Sequence, residues 1–184
     1  MLDDFFRNFI LVDGTSLALQ IGHRNSVDID LFGQQEIDRI YFEASLSKYG
    51  ITEISQSTKN ILISSINNIK VDFVNYNYPL LKPYKTIDNI RLASLEDIAA
   101  MKLNAIMGRG SKKDFIDLYF LLQKFSMKEI LNFYTDKYTD GSKFLVLKSL
   151  VYFTDADGQP QPKMYLDFNW ETCKQKIIGE VIKL

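Results

Sequence analysis

Three carboxylates define the chemistry open to this sequence. Asp28 and Asp30 sit two residues apart in Val27-Asp-Ile-Asp-Leu-Phe32, a run that reads as a strand over 27–32. Strand side chains alternate faces, so both acids point one way, roughly 7 Å apart along the chain, while Val27, Ile29 and Leu31 point into a core. Asp72, in Ile69-Lys-Val-Asp-Phe-Val74, stands by the same parity on the face opposite Ile69, Val71 and Phe73. If the two strands are neighbours, the three acids converge. Such an all-oxygen cluster suits a pair of divalent cations, Mg²⁺ or Mn²⁺, roughly 4 Å apart. The plain alternative for Asp72 is exposure on a half-wet strand.

Other residues fit an anionic substrate. Gly14-Thr15-Ser16 reads as a glycine turn entering a helix, where backbone amides and the positive end of the helix dipole suit phosphate. Thr15 and Ser16 are the candidate hydroxyl contacts, unless one is only a helix cap. In the loop before the acidic pair, Arg24 is placed to meet a phosphate oxygen or the acids themselves. His23 is the sole histidine, and a structural place is the commoner one for such a residue. Further on, Lys102, Arg109, Lys113, Asp114 and Asp117 fall within sixteen residues. Lys102 projects from one helix, and the two aspartates share a face of the next. An interhelix ion pair would explain them equally. Asp155-Ala-Asp157-Gly158 lacks the later ligands of a calcium loop and reads as a turn.

The elements that position these residues form a mixed pattern. A helical lead-in over 3–8 precedes a strand near 9–12, a helix over 16–22 with Gly22 as its stop, and the acidic strand. Helical spacing over 35–49 ends at Gly50. Three strands follow, near 51–56, 60–66 and 69–76, with Asn67-Asn68 as a tight turn. After Pro79 and Pro83 everything reads as helix: 95–107 behind a Ser94/Asp97 cap, 112–124, 127–137 behind the Ser126/Glu129 capping box, 142–152, and a last helix over 170–183. The fold class is therefore α+β: a small mixed sheet flanked by helices over 1–80, then a helical half over 81–184 that contributes to the cleft.

Apolar residues at 46% and aromatics at 13% supply a packed interior and exclude disorder. One cysteine, Cys173, excludes an intramolecular disulfide and a cysteine-based zinc site. With no secretory leader and no run near a membrane span in length, a cytoplasmic protein with no membrane partner is expected. Residues 1–80 hold 6 Lys/Arg against 10 Asp/Glu, and residues 81–184 hold 16 against 13. The second half is thus the one suited to a polyanion, although a solvated helical surface would show the same balance.

Gly14-Thr15 followed at a fixed distance by Asp28-Ile29-Asp30 resembles the signature of the DNA polymerase β-type nucleotidyltransferase superfamily. The fuller string with Gly-His-Arg-Asn-Ser at 22–26, together with Lys102 and Lys113-Asp-Phe-Ile-Asp117, resembles the AbiEii/MenT-type nucleotidyltransferase toxins. That resemblance implies the minimal nucleotidyltransferase fold and transfer of a nucleotide from a nucleoside triphosphate to an acceptor hydroxyl, releasing pyrophosphate. It implies Asp28, Asp30 and Asp72 as catalytic metal ligands. Gly14, Thr15, Ser16, Arg24, Ser26 and Lys102 would bind nucleotide, and Asp114 or Asp117 would complete the catalytic set with Lys102. It further implies a toxin of a toxin–antitoxin or phage-defence pair, with tRNA as acceptor and a cognate antitoxin as partner. A small molecule or protein hydroxyl as acceptor is the first alternative. A catalytically impaired nucleotide- or partner-binding homologue is the second, raised by Asp13, which stands where the pattern has the first of two glycines.

Overall fold

The computed structural model describes Met1 and residues 3–184. Two compact units divide the chain. The sheet unit comprises Met1–Ser16, Ser26–Tyr78 and Tyr84–Ala93; the helical unit comprises Leu17–Asn25, Pro79–Pro83 and Ser94–Leu184.

The sheet unit is built on strands β1 (Phe9–Leu11), β2 (Ile29–Gly33), β3 (Thr52–Ser57), β4 (Ile61–Ile66), β5 (Ile69–Asn75), β6 (Lys85–Ile87) and β7 (Ile90–Leu92). They form one mixed sheet in the order β3-β4-β5-β2-β1-β7-β6. At its centre β2 runs parallel to β5 and antiparallel to β1. Helix α1 (Asp13–Ile21) follows β1, and α2 (Arg39–Leu46) lies between β2 and β3. Phe9, Phe42 and Phe73 are fully buried, with Phe73 ring centroids 5.2 Å from each of the other two. At about 1.5–3 kcal/mol per buried large apolar side chain, this aromatic knot fixes the level of β5 against β1 and α2. The Asn67-Asn68 turn has φ of 50° and 66°, the left-handed pair a two-residue hairpin needs.

The helical unit contains α3 (Leu95–Gly108), α4 (Lys112–Leu121), α5 (Met127–Lys137), α6 (Lys143–Leu150), the short α7 (Thr154–Asp157) and α8 (Trp170–Ile182). Ser126 and Glu129 make a complete capping box at the start of α5. Ser94 caps α3 through the Asp97 amide, but the Asp97 carboxylate accepts from Leu81 N and pairs with Lys137 Nζ at 2.7 Å instead of closing the box.

Three expectations change. Strand β2 begins at Ile29, so Asp28 precedes it, and Val27 is 62% exposed rather than part of a core. Helix α1 begins at Asp13, so Gly14, Thr15 and Ser16 form its first turn instead of a turn ahead of it. Residues 84–93 belong to the sheet: the β6–β7 hairpin turns on Asp88 and Asn89, at φ of 48° and 61°. Segment 154–157, read as a turn, is a single helical turn.

Candidate active site

The residues singled out from the sequence fall into two groups, one in each unit. In the sheet unit, Asp30 and Asp72 are direct register partners across the parallel β2–β5 pair. Their side chains therefore leave the same face of the sheet. Asp28 lies two residues ahead of Asp30, just outside the strand. Lys70 Nζ sits 2.7 Å from Asp72 Oδ2. Burial by itself would lower the Lys70 pKa, yet it is raised, because the hydrogen bond and charge of Asp72 prevail with help from Asp30 and Asp28. One ammonium thus feels all three acids.

The other Asp72 oxygen, Oδ1, is inaccessible to solvent and has no hydrogen-bond partner. An orphaned buried acceptor costs about 1–3 kcal/mol, a deficit that a cation would remove. Among the described residues, no three His, Cys, Asp or Glu side chains close on a point as a ready-made metal cage. Mg²⁺ does not need one: it is usually held by one or two carboxylates, with waters and substrate phosphates completing the octahedron. An all-carboxylate donor set with an unpartnered oxygen fits that ion.

Beside the acids, the Thr15 hydroxyl donates to the Asp28 carbonyl and lies 2.8 Å from Ser26 Oγ. Val12 N donates to the Asp30 carbonyl at 2.9 Å. The first turn of α1 is thereby tied to the acidic segment at two levels. First-turn amides have no acceptor within their own helix, so this end of α1 suits phosphate. Ser16 is fully buried. Asp13 holds φ of 54°, a backbone setting that favours glycine.

In the helical unit, Asp117 is fully buried between Arg24, His23 and Lys102. It accepts from Arg24 Nε at 2.6 Å and Nη2 at 2.8 Å, lies 2.8 Å from His23 Nε2, and pairs with Lys102 Nζ at 2.8 Å. Lys102 also reaches Asp114 Oδ1 at 3.1 Å, and Asp114 accepts from Arg109 Nε at 2.9 Å and Ser111 Oγ at 2.7 Å. Burial alone would raise both carboxyls. The Lys102 charge, with Arg109 at Asp114 and with His23 and Arg24 at Asp117, outweighs it; Asp114 falls to about 2 and Asp117 also lies well below the usual carboxylate range. Segment 23–25 is fixed in turn by Asn25 N to the Lys163 carbonyl at 2.8 Å and Tyr165 N to the His23 carbonyl at 2.9 Å.

The structure therefore links Gly14, Thr15, Ser16, Ser26, Asp28, Asp30 and Asp72 in one set, and Arg24, Lys102, Asp114 and Asp117 in another. Lys70 was not anticipated, although it shares the strand parity of Asp72. Nor was the depth of the Arg24–Asp117 pair, which spacing across 93 residues does not encode.

The same architecture occurs in solved structures. MenT4, a nucleotidyltransferase toxin of Mycobacterium tuberculosis, superimposes with a TM-score of 0.62 at 14% identity, covering 96% of this chain and 76% of MenT4. JHP933 of Helicobacter pylori gives a TM-score of 0.59 at 18% identity, covering 96% of this chain and 83% of that one. Among curated proteins, the uncharacterized protein aq_aa25 of Aquifex aeolicus (strain VF5) is 37% identical over 176 residues, 91% of this chain and 84% of that protein. Matched over residues 1–180 by the family's sequence model, the chain belongs to the nucleotidyl transferase AbiEii toxin family of type IV toxin–antitoxin systems.

Proposed function

We propose that this family member is a Mg²⁺-dependent enzyme that transfers a nucleotide from a nucleoside triphosphate to a hydroxyl of tRNA, acting as the toxin opposed by a cognate antitoxin. The observation that carries the metal reading is the pairing of Asp30 with Asp72 across β2–β5, with Asp72 Oδ1 buried and unpartnered. Asp28, Asp30 and Asp72 are the residues that would hold the ion. When bound, Mg²⁺ would neutralise triphosphate charge and favour ionisation of the acceptor hydroxyl.

The chain's own groups supply the rest. Gly14, Thr15 and Ser16 offer the first turn of α1 to the phosphates, with Ser26 holding Thr15 in place. Asp72 takes the acceptor proton as the new acceptor O–P bond forms at the α-phosphorus; the bond to the β-phosphate breaks and its electron pair leaves with pyrophosphate. Lys102 meets the nucleotide phosphates, positioned by Asp114 and Asp117, while Arg24 anchors that cluster.

Incubation with each α-labelled triphosphate, Mg²⁺ and total tRNA tests the reading. Label in tRNA is the expected result. Label in a small molecule or protein would change the acceptor, and nucleotide binding with no labelled product would overturn the enzymatic assignment.

A further inference from the structure

Lys70 lies outside the residue set that the family resemblance singles out, yet it touches the acid cluster directly. It occupies β5 two residues before Asp72, on the same face, with Nζ 2.7 Å from Asp72 Oδ2. Its side chain is 51% exposed, while that of Asp72 is 13% exposed. The ammonium is therefore tethered at the rim of the cluster and not locked in it. A half-exposed ion pair of this kind is weak, so it yields readily to a stronger cation. The strand pairing, by contrast, holds Asp30 and Asp72 side by side whatever neutralises them.

We propose that Lys70 is an internal counter-ion of the Asp28/Asp30/Asp72 group, bound there in the metal-free protein and displaced when a divalent cation enters. The proposal rests on the metal reading given above. Lys70 then sets the apparent metal affinity: the incoming ion has to compete with an ammonium tethered in place, and the displaced ammonium repels it afterwards. Removing that single positive charge strengthens divalent binding by roughly tenfold at low ionic strength, from Coulomb's law for a unit and a double charge a few ångströms apart in water.

The test is Mn²⁺ titration of the nucleotide-free protein, followed by loss of the free-ion electron paramagnetic resonance signal. Lys70→Met and Lys70→Gln should both bind Mn²⁺ roughly tenfold more tightly than wild type, with the gap shrinking as salt rises towards about 0.5 M. Lys70→Arg, which keeps the charge, should return to the wild-type value. Lys59→Met, which removes a lysine from the turn before β4, should leave the affinity unchanged. Equal or weaker Mn²⁺ binding by Lys70→Met and Lys70→Gln overturns the counter-ion role and leaves the metal site standing. Absence of Mn²⁺ binding in wild type and variants alike overturns both.

Discussion

Asp117→Asn separates the architectural work of the buried ion cluster from its proposed chemical work. The substitution keeps size and shape but removes the charge that Arg24 grips with two donors, at 2.6 and 2.8 Å, from a side chain only 2% exposed. Lys102 keeps Asp114 at 3.1 Å, whereas Arg24 loses the carboxylate that engages both its Nε and its Nη2. Breaking a buried pair by removing one partner costs about 3–5 kcal/mol, and the surviving Lys102–Asp114 contact places this case near the lower figure. For a chain of this size, about 3 kcal/mol lowers the melting temperature by about 6–12 °C. Circular dichroism melts and urea titrations measure it directly. The double variant Asp117→Asn/Arg24→Met should recover part of the loss, because the guanidinium that the Asp117 carboxylate neutralises is removed together with that charge. A melting temperature within about 2 °C of wild type, with nucleotide transfer abolished, would refute the reasoning and assign Asp117 to the substrate.

Three further outcomes follow from the same geometry. Asp114, at about 2 against an ordinary 3.8, contributes stability above pH about 4 that disappears as pH falls through about 2, amounting to about 2 kcal/mol; acid titration of Asp114→Asn should lack that slope. Asp72→Asn should cut nucleotide transfer by at least about a hundredfold while the metal-free protein melts at or above the wild-type temperature, since it removes an unpartnered buried anionic oxygen. Asp13→Gly suits the backbone at φ 54° and deletes a negative charge at the N-terminal end of α1, the proposed phosphate contact, so calorimetry should show tighter binding of Mg²⁺ with a non-hydrolysable triphosphate; unchanged affinity would mean the carboxylate points elsewhere.

Much of this arrangement was legible before any coordinates. The Asn67-Asn68 turn, the Ser126/Glu129 box and the alternation through Val71, Asp72 and Phe73 are local signals, set by neighbours two to four residues away, and all three hold. The β6–β7 hairpin escaped notice because three-residue strands show almost no period; its one clue was Asp88-Asn89, a pair tolerant of left-handed angles. Val27 misled because alternation was extended past the strand's true start at Ile29. His23 is fully buried at 2.8 Å from Asp117, a partner that lies 94 residues away and that no local pattern announces. Most obscure was the Asp97–Lys137 pair, 2.7 Å long, joining residues forty positions apart: a buried charge announces itself only once its partner is known.

The parallel pairing of β2 with β5 has a consequence for tolerance to insertion. Five consecutive register pairs, from Ile29 with Val71 to Gly33 with Asn75, hold Asp30 beside Asp72 independently of the chain that joins the two strands. That connection, residues 34–68, carries α2 and the β3–β4 hairpin at the border of the sheet. Lengthening or trimming the hairpin tip leaves the spacing of the acids untouched. The spacing of the proposed catalytic acids is therefore insulated from change at that flank of the sheet.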